Sequence, residues 1–210
     1  MHDLAAINLT LQTLSEPERF LWAAARFGKQ LVLTTSFGTY SAVMLHMVSR
    51  WTPDIPVISI DTGHNQATRA FAARLIEHLG LTVDRSVIPP LPAPANGLYE
   101  TPEEYLQRAK VEALEQALTR HHAAAWMSGV QRNETDHRRE FDFLMVRADG
   151  LYKFHPLLDW DARRLFAYCQ EHDLPINDDY IDPAKGRDQK QECGIHLTGL
   201  ANESFTSSEL

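Results

Sequence analysis

The chain has 210 residues, 44% of them hydrophobic and 23% charged, with a formal net charge of −8. This is long enough and apolar enough for a globular domain with a real core, and the acidic balance excludes general nucleic-acid binding, which needs a basic face. Two cysteines, Cys169 and Cys193, give neither a disulfide framework nor a C-x-x-C metal knuckle. No stretch approaches the roughly 18 apolar residues of a membrane span. The N-terminus lacks the basic start and apolar run of a secretory signal, so the cytoplasm is the expected location.

In chain order, Ser15 and Glu18 stand at capping-box spacing, with Pro17 in the first turn and Gly28 as a stop, which predicts a helix over 15–28. "QLVLTTSFG" reads as a buried strand running into a glycine turn, and "TYSAVMLHMVSRW" returns to helical period with Val43, Met44, Met47 and Val48 on one side. "IPVISIDTG" repeats the strand-then-turn pattern. "NQATRAFAARLIEHLGL" is an amphipathic helix ending near Gly80, and "LTVDRSVI" is a third strand. After the proline-rich loop 89–98, Thr101 caps a long helix with Leu106, Ala109, Ala113 and Ala117 inward. "AAAWMSGV" (123–130) makes a fourth strand. "FLMVRADGLYKFHPL" places two apolar runs around Asp149-Gly150, a hairpin signal. "DWDARRLFAYCQEHDL" is the last helix, and beyond residue 175 the pattern dissolves.

Strand–helix alternation with continuous apolar strands predicts an α/β domain with a mostly parallel sheet. In such sheets ligands bind beyond the carboxyl ends of the strands. That rule selects "TTSFGTYS", "SIDTGHN" and "MSGVQRNETDHRR". In the first, Ser36, Gly38 and Ser41 precede a helix, where small residues and the helix N-terminus suit an oxyanion; a tight turn that binds nothing has the same composition. No G-K-[ST] follows, so it is not a Walker A loop. Asp61 either orients a ligand hydroxyl or caps the next helix.

The third turn carries Arg132, Arg138 and Arg139 interleaved with acids. Arginine forks suit phosphate and sulfate, while a salt-bridged surface loop is the ordinary alternative; the position at a strand's carboxyl end favours a ligand. Lys110, in "AKVEAL", is either a further anion contact or a solvated helical lysine. Cys169, among Leu165, Phe166 and Tyr168, reads as a buried inert thiol. Cys193 differs: Lys190, Glu192 and His196 flank it, with Lys185 and Arg187 upstream. Nearby cations populate the nucleophilic thiolate, although spacing alone also allows an incidental tail cysteine.

Together the ordered segments "TTSFG", "PDIPVISIDTG", "KVEAL", "GVQRNETDHRR", "FHPLLDWD" and "ECGIH", over roughly 30–196, resemble the phosphoadenylyl-sulfate (PAPS) reductases and their sister adenylyl-sulfate reductases. The resemblance implies an adenine nucleotide alpha-hydrolase-like (PP-loop) α/β fold, a three-layer sandwich. A nucleotide-binding domain over 1–180 would be followed by a flexible 181–210 tail carrying the catalytic cysteine. It implies that Cys193 attacks the sulfonyl sulfur, leaving an S-sulfocysteine, with His196 beside the sulfonate. Thioredoxin or glutaredoxin would then release sulfite. By position, Ser36, Gly38 and Ser41 would form the phosphate loop, Lys110, Arg132 and Arg138 would hold anionic groups, and Asp61 and Lys190 would join the substrate-binding residues. Homodimers occur in the family.

Two cysteines cannot ligate the [4Fe–4S] cluster carried by many adenylyl-sulfate reductases, so the resemblance points to the cluster-free branch, with no bound metal. The chain departs from the family pattern in "INDDYIDPAKGRDQKQ", which lacks "GY-x-S-x-G-D", and at Gln131, where "G-x-R-R" has its first arginine. The resemblance implies reduction of 3′-phosphoadenylyl sulfate to sulfite and adenosine 3′,5′-bisphosphate in assimilatory sulfate reduction, with adenylyl sulfate as the alternative substrate. An ATP pyrophosphatase of the same fold expects an aspartate where Tyr40 stands, and a nucleotide-binding relative without turnover is the further alternative.

Overall fold

A computed structural model of the protein describes residues 4–89 and 101–183. Cys193, His196 and Lys190, and nearly all of the expected 181–210 tail, lie outside the described residues. The strands are β1 (Leu31–Thr35), β2 (Val57–Asp61), β3 (Val83–Val87), β4 (Ala125–Met127), β5 (Leu144–Val146) and β6 (Tyr152–Phe154), in the spatial order β3-β2-β1-β4-β6-β5. All pairings are parallel except β5 with β6. The helices are α1 (Leu4–Thr13), α2 (Glu16–Phe27), α3 (Ser41–Trp51), α4 (Gln66–Leu79), α5 (Pro102–Arg120) and α6 (Ala162–Glu171).

The continuous apolar strands follow from burial on both faces. Leu31, Leu33, Val57, Ala125 and Met127 pack into a core shared with α2, α3, α4 and α6. Their neighbours Val32, Ile58, Ile60 and Trp126 point the other way, against Leu114, Ala117 and Leu118 of α5. Successive strand residues alternate faces, so the sheet is the middle of three layers. The expected α3 stripe of Val43, Met44, Met47 and Val48 is buried.

Local signals end the helices where the spacing predicts. Glu18 accepts from the Ser15 N–H at 2.8 Å, and Glu104 from the Thr101 N–H at 2.8 Å. Gly80 stops α4 at φ 63, a left-handed conformation that glycine adopts without a Cβ clash. The Asp149-Gly150 turn closes the β5–β6 hairpin, with the Arg147 N–H on the Leu151 carbonyl at 2.8 Å.

Two features differ from the sequence reading. On α5 the buried face is Tyr105, Lys110, Leu114, Ala117 and Leu118, whereas Leu106, Ala109 and Ala113 are only partly covered. The helix is rolled so that Lys110 joins the buried face in place of Ala109 and Ala113. Helix α1, absent from the sequence reading, buries Leu11 in the core and adds a polar contact. The Asn8 amide donates to the Leu144 carbonyl at 2.9 Å and accepts from the Leu144 N–H at 2.8 Å, covering the open edge of β5. Among the described residues no helix is long and apolar enough to cross a membrane.

Candidate functional site

β1 has β2 on one side and β4 on the other, so the winding reverses there. The carboxyl ends of strands diverge at such a switch point and leave a crevice. A cavity of about 440 Å³ occupies it, lined among others by Ser36, Gly38, Ser41, Lys110, Ser128 and Arg138. Five of the sequence-predicted residues therefore meet in one place. Asp61 and Arg132 are not among the lining residues.

The loop after β1 is held in an uncommon shape. Phe37 is buried at φ 53, where a bulky side chain is rare. Its N–H is tied to Thr35 Oγ1 at 3.1 Å and its carbonyl to Asn177 Nδ2 at 2.7 Å. Ser41 opens α3, its N–H donating to the Gly38 carbonyl at 3.0 Å. Its hydroxyl is buried without a hydrogen-bond partner. An unpaired buried hydroxyl is costly unless something binds it, and Ser41 is a lining residue of the cavity at the positive end of a helix.

The loop after β4 behaves differently. Arg132 donates to the Phe141 carbonyl from Nη2 at 2.9 Å and from Nε at 3.3 Å, a clamp on its own loop. Arg138, buried in the cavity wall, pairs with Glu134, and exposed Arg139 pairs with Asp136 at 3.0 Å. Gly129 lies where an added Cβ would meet Met44 Cγ at 3.1 Å, so a small residue lets β4 close against α3.

At the end of β2, Asp61 is fully buried. Burial alone would raise its pKa, but Arg85 and the His64 and Gly63 N–H groups outweigh this and hold the carboxyl at about 2. Its Oδ1 accepts from Gly63 N–H at 2.9 Å and from His64 N–H at 2.8 Å, and Oδ2 faces Arg85 and Arg69. These contacts make it the organiser of the β2–α4 turn.

The segment after α6 has no regular structure, yet it is firmly placed. Asn177 N–H donates to the Thr39 carbonyl at 3.0 Å, and the Asn65 amide reaches the Asp179 carbonyl at 2.8 Å. This strap puts Tyr180 beside Gly38 and Asp182 into the cavity wall. Asp182 Oδ2 lies 2.6 Å from Lys110 Nζ, both groups buried. Lys110 and Arg138 are thus each matched by a carboxylate, Asp182 and Glu134.

Sequence reasoning also missed Ser128 and His155. Ser128 directly follows β4 in the cavity wall, with its hydroxyl 2.9 Å from His155 Nδ1. Burial first, then Lys153 and Arg138, pushes the His155 pKa down to about 3, so the ring is neutral. The signal lay in "MSG" and "FHP", two short motifs at the ends of neighbouring strands β4 and β6. Cys169 is fully buried and its pKa is raised to about 11 by burial, an unreactive thiol. Among the described residues no group of three or more His, Cys, Asp or Glu side chains could hold a metal ion.

A family model described as the phosphoadenosine phosphosulfate reductase domain matches residues 30–181. A phosphoadenosine 5′-phosphosulfate reductase from Synechococcus sp. is 37% identical over 93% of this chain and 97% of its own length. One from Synechocystis sp. is 34% identical over 99% and 97%. Among solved structures, a PAPS reductase from Candida auris in a phosphate complex superposes with a TM-score of 0.66 at 24% identity, covering 83% of this chain and 87% of that one. A U34-tRNA thiolase from Methanococcus maripaludis, with its [4Fe-4S] cluster, gives 0.53 at 12% identity over 70% and 57%. Both structural likenesses speak to the fold.

Proposed function

The chain belongs to the phosphoadenosine phosphosulfate reductase family, and from that premise we propose that its cavity binds 3′-phosphoadenylyl sulfate and delivers the sulfonyl group to Cys193. The protein is an oxidoreductase of sulfate assimilation. The observation that carries the site assignment is the cavity at the switch point, lined by Ser41 at the start of α3, whose hydroxyl is buried without a hydrogen-bond partner.

In the proposed chemistry the Cys193 thiolate attacks the sulfonyl sulfur. The S–O bond to the nucleotide breaks, and adenosine 3′,5′-bisphosphate departs with that electron pair. A thiolate of thioredoxin or glutaredoxin then attacks Cys193 Sγ. Sulfite leaves, the sulfur is reduced by two electrons, and a mixed disulfide remains. The second redoxin thiol attacks the redoxin sulfur of that disulfide and returns Cys193 as the thiol. Ser36, Gly38 and Ser41 hold the phosphates at the helix N-terminus, with Lys110 and Arg138 as the charged contacts. His196 and Lys190 assist from the chain segment of Cys193, and the work is done in the cytoplasm.

The test supplies PAPS or adenylyl sulfate with reduced thioredoxin and measures sulfite. PAPS should give sulfite at the higher kcat/KM, and Cys193→Ser should abolish release while leaving nucleotide binding intact. Full turnover by Cys193→Ser would end this mechanism.

A further inference from the structure

The role of the hydroxyl at the end of β4 turns on the proton of its histidine partner. His155 is buried and stacks on Phe141, with ring centroids 5.6 Å apart. Its Nδ1 lies 2.9 Å from Ser128 Oγ, while its Nε2 is buried without a hydrogen-bond partner. A neutral imidazole carries one N–H. Placing it on Nε2 strands a buried donor, whereas placing it on Nδ1 strands only a lone pair. Orphaned buried N–H groups are the rarer fault, so the Nδ1–H tautomer is favoured.

Ser128 Oγ then accepts from His155, and its own proton has to point elsewhere. The cavity that Ser128 lines is the open side of this nearly buried residue. An entering oxyanion meets two cations already matched by Asp182 and Glu134, so neutral hydroxyl donors supply the uncommitted contacts. We propose that Ser128 is a substrate-binding donor whose hydroxyl hydrogen-bonds an oxyanion oxygen of the nucleotide, and that His155 is the positioning residue that aims it. The proposal rests on the cavity being the substrate site.

The experiment measures sulfite release from PAPS with reduced thioredoxin, and binding of adenosine 3′,5′-bisphosphate by calorimetry. Ser128→Ala should raise KM and Kd roughly tenfold, the scale of one lost hydrogen bond to a charged group, with kcat nearly unchanged. His155→Leu should do the same, His155→Asn should restore binding because its amide can donate near the Nδ1 position, and the double variant Ser128→Ala/His155→Leu should be no worse than Ser128→Ala. Nitrogen-15 chemical shifts of His155 in the wild type should report a protonated Nδ1, a readout that survives if His155→Leu does not fold. Protonated Nε2, or Ser128→Ala binding as tightly as wild type while wild type releases sulfite, would overturn the proposal alone. Absence of both sulfite release and nucleotide binding in the wild type would overturn the reading of the site and this proposal with it.

Discussion

The loops that leave β1 and β4 flank one cavity, yet they use their polar groups in opposite ways. Residues 36–41 carry no charge and leave a buried hydroxyl, Ser41 Oγ, without a partner. Residues 129–140 carry the densest basic cluster of the chain, and Arg132, Arg138 and Arg139 all have partners within that loop or at its end. A full charge left unpaired in a half-buried loop is expensive, so neighbouring carboxylates and carbonyls engage it. A hydroxyl is cheaper to leave waiting. The neutral loop thus keeps an uncommitted hydroxyl, as the proposed anion site requires, whereas the arginines of the charged loop are engaged within it or at its end.

The largest expected effect concerns the cavity cation that the strap neutralises. Asp182→Asn leaves Lys110 buried without its carboxylate, which should reduce stability by about 3–5 kcal/mol. Adenosine 3′,5′-bisphosphate should then raise the Tm of the variant more than that of wild type, because the ligand replaces the lost counter-charge. Equal ligand shifts would show that Lys110 does not meet the nucleotide. Next comes acid. His155 stays neutral in the folded state with a pKa of about 3, against 6.5 for the free side chain. The unfolded chain therefore binds more protons between those values, and stability falls as pH drops from 6.5 towards 3. Asp61, lowered from 3.8 to about 2, has the same sign lower down: its contribution is complete above 3.8 and is lost as pH falls towards 2. Urea midpoints between pH 7 and 3 should follow this slope, and His155→Leu should flatten its upper part.

The smallest effects separate the two loops directly. Arg132→Ala leaves the Phe141 carbonyl without its donor and should reduce stability by about 1–3 kcal/mol, with little change in nucleotide Kd measured on the folded fraction. Ser41→Ala should do the reverse, near-neutral in stability because its hydroxyl has no partner to lose, but weakening nucleotide binding by roughly tenfold. If Arg132→Ala weakened binding more than Ser41→Ala, the assignment of roles would be inverted.

The contrast also marks where sequence reading succeeded. Strands β1, β2 and β4 were legible as apolar runs because they are buried on both faces, and α2, α4 and α5 because Ser15, Gly80 and Thr101 act through neighbours one turn away. Helix α1 was not legible, since Asn8 meets Leu144 across 136 positions of sequence. The rolled face of α5 escaped for a related reason. Lys110 is buried only because Asp182, 72 residues later, is there to meet it. Ser36, Gly38, Ser41, Lys110 and Arg138, singled out by sequence as substrate-binding candidates, line one cavity, whereas the sequence reading singles out none of Ser128, His155 and Asp182.

The sequence by itself determined the α/β class with its mostly parallel sheet, the capped ends of α2, α4 and α5, and which strand ends could carry a site, because periodicity and capping act over a few residues. It also supplied the ordered motifs that place the chain in its family. Tertiary structure alone decided which charges are available. Whether Arg132 faces a ligand or a carbonyl, whether Asp61 orients a substrate or its own turn, and which serine hydroxyl is left unpaired depend on partners brought close by folding. Hydrogen bonds and ion pairs are satisfied by whatever lies within about 3 Å, and distance in space is what the linear chain does not record.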